Sequence, residues 1–140
     1  MTAQLINREQ TFELHSSQRI LLVEDNDINR MLLSDYLSFF KYHVESLTSG
    51  HNFFTKIEIF KPDLILLDLK LPGIDGYSLL TEVKQHPKYL KIPIIIVSAF
   101  AFAADKERAM KLGARRYFVK PVNLSELLLV IGEELTCCQI

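Results

Sequence analysis

Short apolar runs alternate along the chain with longer stretches whose apolar residues recur at helical spacing. Arg19-Ile20-Leu21-Leu22-Val23 is a compact apolar run leading into Glu24-Asp25. Leu64-Ile65-Leu66-Leu67, opened by Pro62-Asp63 and ending at Asp68, and the near-continuous run Ile92 to Val97, ending at Ser98, have the composition of strands buried on both faces of a parallel sheet. Tyr42 to Leu47 and Arg116 to Val119 complete five expected strands. The first expected helix opens at Asn26 or Asp27 and runs to about Lys41. At about 100° per residue its stripe is Leu32, Leu33, Tyr36, Leu37 and Phe40, with Ile28, Met31 and Phe39 falling away from it. Further helices are expected over 50–61, from an Asp75 cap to about Gln85, and over 103–112 with Gly113 closing the turn. The residue before Pro87 resists helical angles, which ends the third at His86. The last opens at Asn123 or Ser125 and ends near Leu135, with Leu124, Leu127, Leu128, Ile131 and Leu135 on one side.

Strands alternating with helices call for an α/β fold: a parallel sheet covered on both faces, with right-handed crossovers. Periodicity does not order the strands. Residues 1–18 lack a period and read as a loosely ordered extension in which Leu5, Ile6, Phe12 and Leu14 can pack locally. Residues 19–136 form one domain and 137–140 a tail.

Composition narrows the function classes. A chain of 140 residues suits one domain with a sizeable core, and 49% hydrophobic with 24% charged residues is ordinary for a soluble globular protein. A net charge of -1 lacks the basic excess that marks nucleic-acid binding. No apolar run approaches the roughly 20 residues of a membrane span, and the N-terminus has no signal-type apolar core. Cys137 and Cys138 are adjacent and near-terminal, which speaks against a disulfide scaffold and for a frayed tail in a reduced, cytoplasmic setting. His15, His43, His51 and His86 are scattered without ligand spacing.

The chemistry lies where strands end. In a parallel sheet the ends at Glu24-Asp25, Asp68, Ser98 and Lys120 share one edge, where open α/β sheets handle ligands. Three carboxylates gathered there repel one another unless a cation intervenes. A hard divalent ion with oxygen ligands resolves this, and Mg²⁺ pairs carboxylates with phosphate oxygens and water. Lys120 adds a point charge suited to a phosphoryl group, and Ser98 a hydroxyl donor. The set describes a phosphoryl site beside a metal, with Asp68 as nucleophile. Each residue also has a plainer role: Asp68 or Glu24-Asp25 as caps, Ser98 as a turn residue, Lys120 as a solvated amine, Tyr117 as core.

The segments Leu22-Val23-Glu24-Asp25-Asn26, Asp68-Leu69-Lys70-Leu71-Pro72-Gly73-Ile74-Asp75-Gly76, Val97-Ser98-Ala99 and Tyr117-Phe118-Val119-Lys120-Pro121 resemble the receiver domain of two-component response regulators. The likeness covers residues 19 to about 135. It implies a flavodoxin-like (βα)5 doubly wound parallel sheet in strand order 2-1-3-4-5. It also implies that Asp68 takes a phosphoryl group from a phosphohistidine. By the same likeness Glu24, Asp25, Asp68 and the backbone carbonyl of Lys70 hold Mg²⁺. Ser98 and Lys120 contact the phosphoryl group, Tyr117 moves with Ser98, and the Lys120–Pro121 bond is cis. The implied partners are a histidine kinase or histidine phosphotransfer protein and a downstream protein effector, with a phosphorylation-dependent homodimer as a further partner; nucleic acid and membrane are not among them.

Some residues are this chain's own. Leu71 and Glu24 are conservative departures from residues common in the family. Lys70 and Phe100, two positions after Asp68 and Ser98, are bulky and are expected to hinder attacking water and slow self-dephosphorylation. Ile28 and Met31 suit docking of a helical phosphodonor, and Phe100, Phe102 and Leu129 an effector or dimer surface. The chain length leaves no room for an output domain, so a stand-alone regulator, a relay intermediate and a receiver from a hybrid kinase are all consistent with it. The receiver is not expected to be a turnover enzyme. A phosphohydrolase using Asp68 would need a second acid where Lys70 stands. A non-phosphorylated module would not need the acidic set, and a flavin-binding protein would need a phosphate loop after the first strand.

Overall fold

The computed structural model describes residues 18–137; the expected N-terminal extension up to residue 17 and the last three residues lie outside them. Five strands form one parallel sheet in the order β2-β1-β3-β4-β5: β1 Arg19–Val23, β2 His43–Leu47, β3 Leu64–Leu67, β4 Ile94–Ser98 and β5 Arg116–Val119. They alternate with α1 Asp27–Phe39, α2 Phe53–Phe60, α3 Gly76–Gln85, α4 Ala103–Lys111 and α5 Leu124–Cys137. The register runs through Leu21↔Ile65, Leu66↔Ile95 and Ile96↔Tyr117.

Side chains alternate across the strands, so each central strand feeds two apolar layers. Leu21, Val23, Ile65, Leu67, Ile94 and Ile96 meet α2, α3 and α4 on one face. Ile20, Leu22, Leu64, Leu66, Ile95 and Val97 meet α1 and α5 on the other. Burial on both faces explains why these strands read as unbroken apolar runs rather than alternating ones.

Element ends differ from the sequence expectation for local reasons. Helix α1 stops at Phe39 because Lys41 takes a left-handed backbone at φ 75°. Asn52, at φ 63°, delays the start of α2 to Phe53. Pro93 has no N–H for the ladder, and β4 begins after it at Ile94. Both capping alternatives resolve to the asparagine: Asn26 Oδ1 accepts from Asn29 N–H at 2.9 Å, and Asn123 Oδ1 from Glu126 N–H at 3.0 Å. Helix α5 continues to Cys137, beyond the expected end at Leu135 and into the expected tail. The Lys120–Pro121 bond is cis.

The helix stripes need correction too. On α1 only Leu33 and Leu37 are buried, while Leu32 is 53% exposed. The core contact is narrower than the sequence stripe: Leu33 and Leu37 are buried in it and Tyr36 packs at its edge. On α5 Val130 and Glu134 are buried alongside the expected Leu127, Ile131 and Leu135. Glu134 accepts from Arg115 Nε at 2.8 Å and Arg116 Nε at 2.9 Å. Burial alone would raise its pKa, but the two guanidinium groups outweigh this and hold it below the ordinary value of 4.5.

A carboxyl with a depressed folded pKa stabilises the fold above its unfolded pKa, and the contribution falls away as pH drops through the folded value. Glu134→Gln should therefore cost about 1–3 kcal/mol at neutral pH. The deficit should shrink below about pH 4. Urea unfolding of both proteins across that range checks this, and a deficit that does not change with pH contradicts it.

Candidate functional site

Because β1, β3, β4 and β5 are parallel, their C-terminal ends share one edge. Glu24, Asp68 and Lys120 each directly follow a strand, and Ser98 is the last residue of β4. The ladder carries on through them. Glu24 N–H donates to Leu47 O at 3.0 Å, Asp68 N–H to Val23 O at 3.1 Å and Lys120 N–H to Ser98 O at 2.9 Å. The side chains thus leave a backbone as fixed as the sheet.

Glu24 and Asp68 are buried and Asp25 is exposed. One carboxylate oxygen from each of the three lies within 4.8 Å of the other two. Lys120 Nζ stands 2.6 Å from Glu24 Oε1 and donates to Asp68 Oδ2 at 2.7 Å. Burial raises the Glu24 pKa above 4.5; bonds from Lys120 and the Asn26 N–H oppose this, and the Asp68 charge adds to it. For Lys120, burial disfavours the ammonium, but the bonds to Asp68 and Glu24 hold its pKa above 10.5. One ammonium faces three carboxylates, so the cluster is short of positive charge. Its donors are all oxygen, the ligand type of a hard divalent cation, and the residues fit such an ion.

Two loops fix the carboxylates. In the β1–α1 loop Glu24 Oε2 accepts from Asn26 N–H at 3.1 Å. After β3, Asp68 Oδ1 accepts from Lys70 N–H at 3.0 Å, which ties Lys70 to the site through its amide while the rest of the residue is exposed. Gly76 opens α3 against this loop: a Cβ there would lie 2.5 Å from Leu69 Cα and 2.6 Å from Asp68 O. Only glycine permits that approach.

Ser98 is fully buried, and its Oγ accepts from Phe100 N–H at 3.2 Å. The Tyr117 hydroxyl donates to Phe100 O at 2.7 Å, and burial pushes its pKa up to about 12. These two residues meet at the β4–α4 loop. Phe100, expected on a partner surface beside Phe102, is instead half-buried and packs against the core. Its main chain is held at both N–H and C=O. The other expected surface residues are exposed: Ile28 76%, Met31 63%, Phe102 80% and Leu129 65%. A groove of about 320 Å³ lies beside Lys120, walled by Leu32, Leu33, Val97, Pro121, Val122 and Leu124.

The profile of the response regulator receiver domain matches residues 20–132. The chain belongs to that family. The receiver is 39% identical over 109 residues to the transcriptional regulatory protein KdpE of Staphylococcus aureus, covering 78% of this chain and 46% of that regulator, so it spans about half the relative's length. A CheY-like receiver domain protein from Methanospirillum hungatei superposes with a TM-score of 0.81 at 30% identity, covering 87% of this chain and 96% of that one. The receiver domain of the sensor histidine kinase PA1611 from Pseudomonas aeruginosa, with a magnesium ion coordinated in its active-site cleft, gives 0.78 at 32% identity, covering 86% and 98%. This is a receiver domain of two-component systems, a class that works with histidine kinases and downstream effectors. Among the described residues no helix is long and apolar enough to cross a membrane.

The sequence reading missed two features of the site. Arg30 donates to Glu24 O at 3.1 Å, and Tyr77 on α3 meets α4 through its hydroxyl and Asp105 and through Arg108 lying 3.9 Å over its ring. The 27/30 spacing of an acid and a base was visible on the helix; the target carbonyl was not.

A ligand that binds only the folded state stabilises it by about 2.7 kcal/mol at one hundred times its dissociation constant. Mg²⁺ should raise the melting temperature of this receiver and leave that of Asp25→Ala unmoved. Calorimetric scans with and without the ion check this, and equal shifts in the two proteins contradict it.

Proposed function

We propose that this receiver is a cytoplasmic, Mg²⁺-dependent phosphoacceptor that takes a phosphoryl group from a phosphohistidine onto Asp68. The observation carrying the reading is the convergence of Glu24, Asp25 and Asp68 within 4.8 Å, beside the Lys120 amine 2.7 Å from Asp68 Oδ2. A carboxylate oxygen of Asp68 attacks phosphorus and the P–N bond breaks. Its electron pair returns to the imidazole nitrogen, which takes up a proton, and an acyl phosphate forms on Asp68. Glu24, Asp25 and Asp68, with the Lys70 carbonyl, would hold Mg²⁺, which would supply positive charge against the carboxylates and the phosphoryl oxygens.

Lys120 exchanges its bond to Asp68 for a phosphoryl oxygen, and Ser98 donates its hydroxyl to another. Ser98 must then turn from its present bond with the Phe100 N–H. Because Tyr117 holds the Phe100 carbonyl, that turn reaches the β4–α4 loop and α4. The phosphodonor, a histidine kinase or histidine phosphotransfer protein, docks on the exposed Ile28 and Met31 and the groove beside them. Phe102 and Leu129 are left for an effector or for a homodimer formed on phosphorylation. The chemistry is one self-catalysed transfer followed by slow loss, not turnover. With the Phe100 ring packed inward, Lys70 is the side chain that hinders water at the acyl phosphate.

Incubation with acetyl phosphate and Mg²⁺ should add one phosphoryl mass to the wild type. Omitting the ion, or substituting Asp68→Asn, should abolish the gain; full labelling of Asp68→Asn, read by intact mass, sinks the proposal. Sustained phosphate release from small phosphate esters would mark a phosphohydrolase instead. Lys70→Ala should shed the label severalfold faster than wild type, and equal decay rates would remove Lys70 from the account.

A further inference from the structure

We infer that Arg30 is the positioning residue of the cation site, an inference that rests on the divalent-cation reading of Glu24, Asp25 and Asp68 proposed above. Arg30 lies in the first turns of α1 with its side chain only 16% exposed. Nη1 donates to the Glu24 carbonyl at 3.1 Å, and Nη2 donates to Asp27 Oδ1 at 2.6 Å. One planar fork therefore ties the end of β1 to the first turn of α1.

The consequence falls on Asp25, the exposed acid of the cluster. It stands between Glu24, which directly follows β1, and Asn26, the cap of α1. Its direction is set by the two peptide planes that flank it. The plane before it ends in the Glu24 carbonyl, which Arg30 holds. The plane after it carries the Asn26 N–H, which Glu24 Oε2 holds at 3.1 Å. Both planes are pinned by side chains, and Arg30 supplies one of the two pins. Without it the Glu24–Asp25 peptide is free to rotate, and Asp25 spreads over orientations that do not converge with Glu24 and Asp68.

Charge argues the opposite way. A guanidinium near a cation site repels the ion, so its removal on electrostatic grounds alone would tighten binding. Asp27 already takes up that charge in an ion pair, and its carboxylate is exposed enough for solvent to screen part of the remainder. Loss of a group that orients a metal ligand typically weakens affinity about 10–100-fold. The orienting effect outweighs the charge effect, and the two differ in sign.

The test uses the full chain, which has no tryptophan to report binding. Mn²⁺ binding is followed by the spin-resonance signal of the free ion, with Mg²⁺ as competitor. Arg30→Met removes the charge and the fork; Arg30→Lys keeps the charge and loses the fork. Both should weaken Mn²⁺ binding about tenfold. With acetyl phosphate, both should raise the Mg²⁺ concentration for half-maximal labelling by the same factor and leave the rate at saturating Mg²⁺ near wild type. A merely structural role would lower that rate as well. Unchanged or tighter binding in either variant, or full recovery in Arg30→Lys, overturns the inference. Should the methionine variant fail to fold, the lysine variant decides alone. A wild type that binds no Mn²⁺ overturns the cation site itself, and this inference with it.

Discussion

The Lys120 ammonium, 2.6 Å from Glu24 Oε1 and 2.7 Å from Asp68 Oδ2, is the contact that allows two buried carboxylates to sit at the end of an apolar sheet. A buried carboxylate without a partner shifts its pKa and neutralises. For Glu24, the amine it shares with Asp68 only partly offsets burial, which holds its pKa above the ordinary value. With Asp25 beside them the cluster remains short of positive charge. That shortage gives the site its capacity for a divalent ion and for the charge of a transferring group.

Placement of this cluster follows from the parallel sheet. Parallel strands put their C-terminal ends on one edge, and the ladder bonds from Glu24, Asp68 and Lys120 extend the sheet to the residues that do the chemistry. The apolar clusters on the two faces then fix the strands against sliding. A one-residue slip would turn the Leu22 and Leu66 side chains to the wrong layer and move Asp68 off the edge. Core packing and site geometry are therefore the same constraint seen at two places along the strands.

Much of this was legible in the sequence, because a strand buried on both faces and ending in an acid is a local pattern. The strands β1 and β3 and the acids at 24, 25 and 68 followed from it. The alternation of apolar runs with helical stretches supplied the other strands and the amine after the last of them. What was hidden depends on contacts distant in sequence or made to the main chain. Leu32 shares a stripe with Leu33, but periodicity gives a direction and not the neighbour that covers it. Phe100 packs against the core, and its carbonyl is held by Tyr117, 17 residues later. Glu134 is buried among apolar residues because Arg115 and Arg116 reach it from across β5. Arg30 grips a carbonyl, which has no letter in the sequence.

Those two arginines also show what sets the functional edge apart. Glu134 lies at the opposite end of β5 from Lys120, and it too is a carboxylate buried against the sheet. There two guanidinium groups both reach Glu134, Arg116 pairing with the exposed Glu133 as well, and the pKa of Glu134 falls. At the other end three carboxylates share one ammonium, and burial, with the Asp68 charge adding to it, raises the pKa of Glu24. The first arrangement is complete and holds the fold. The second is completed only by something that arrives from solution, so the same sheet carries a structural charge cluster at one edge and a responsive one at the other.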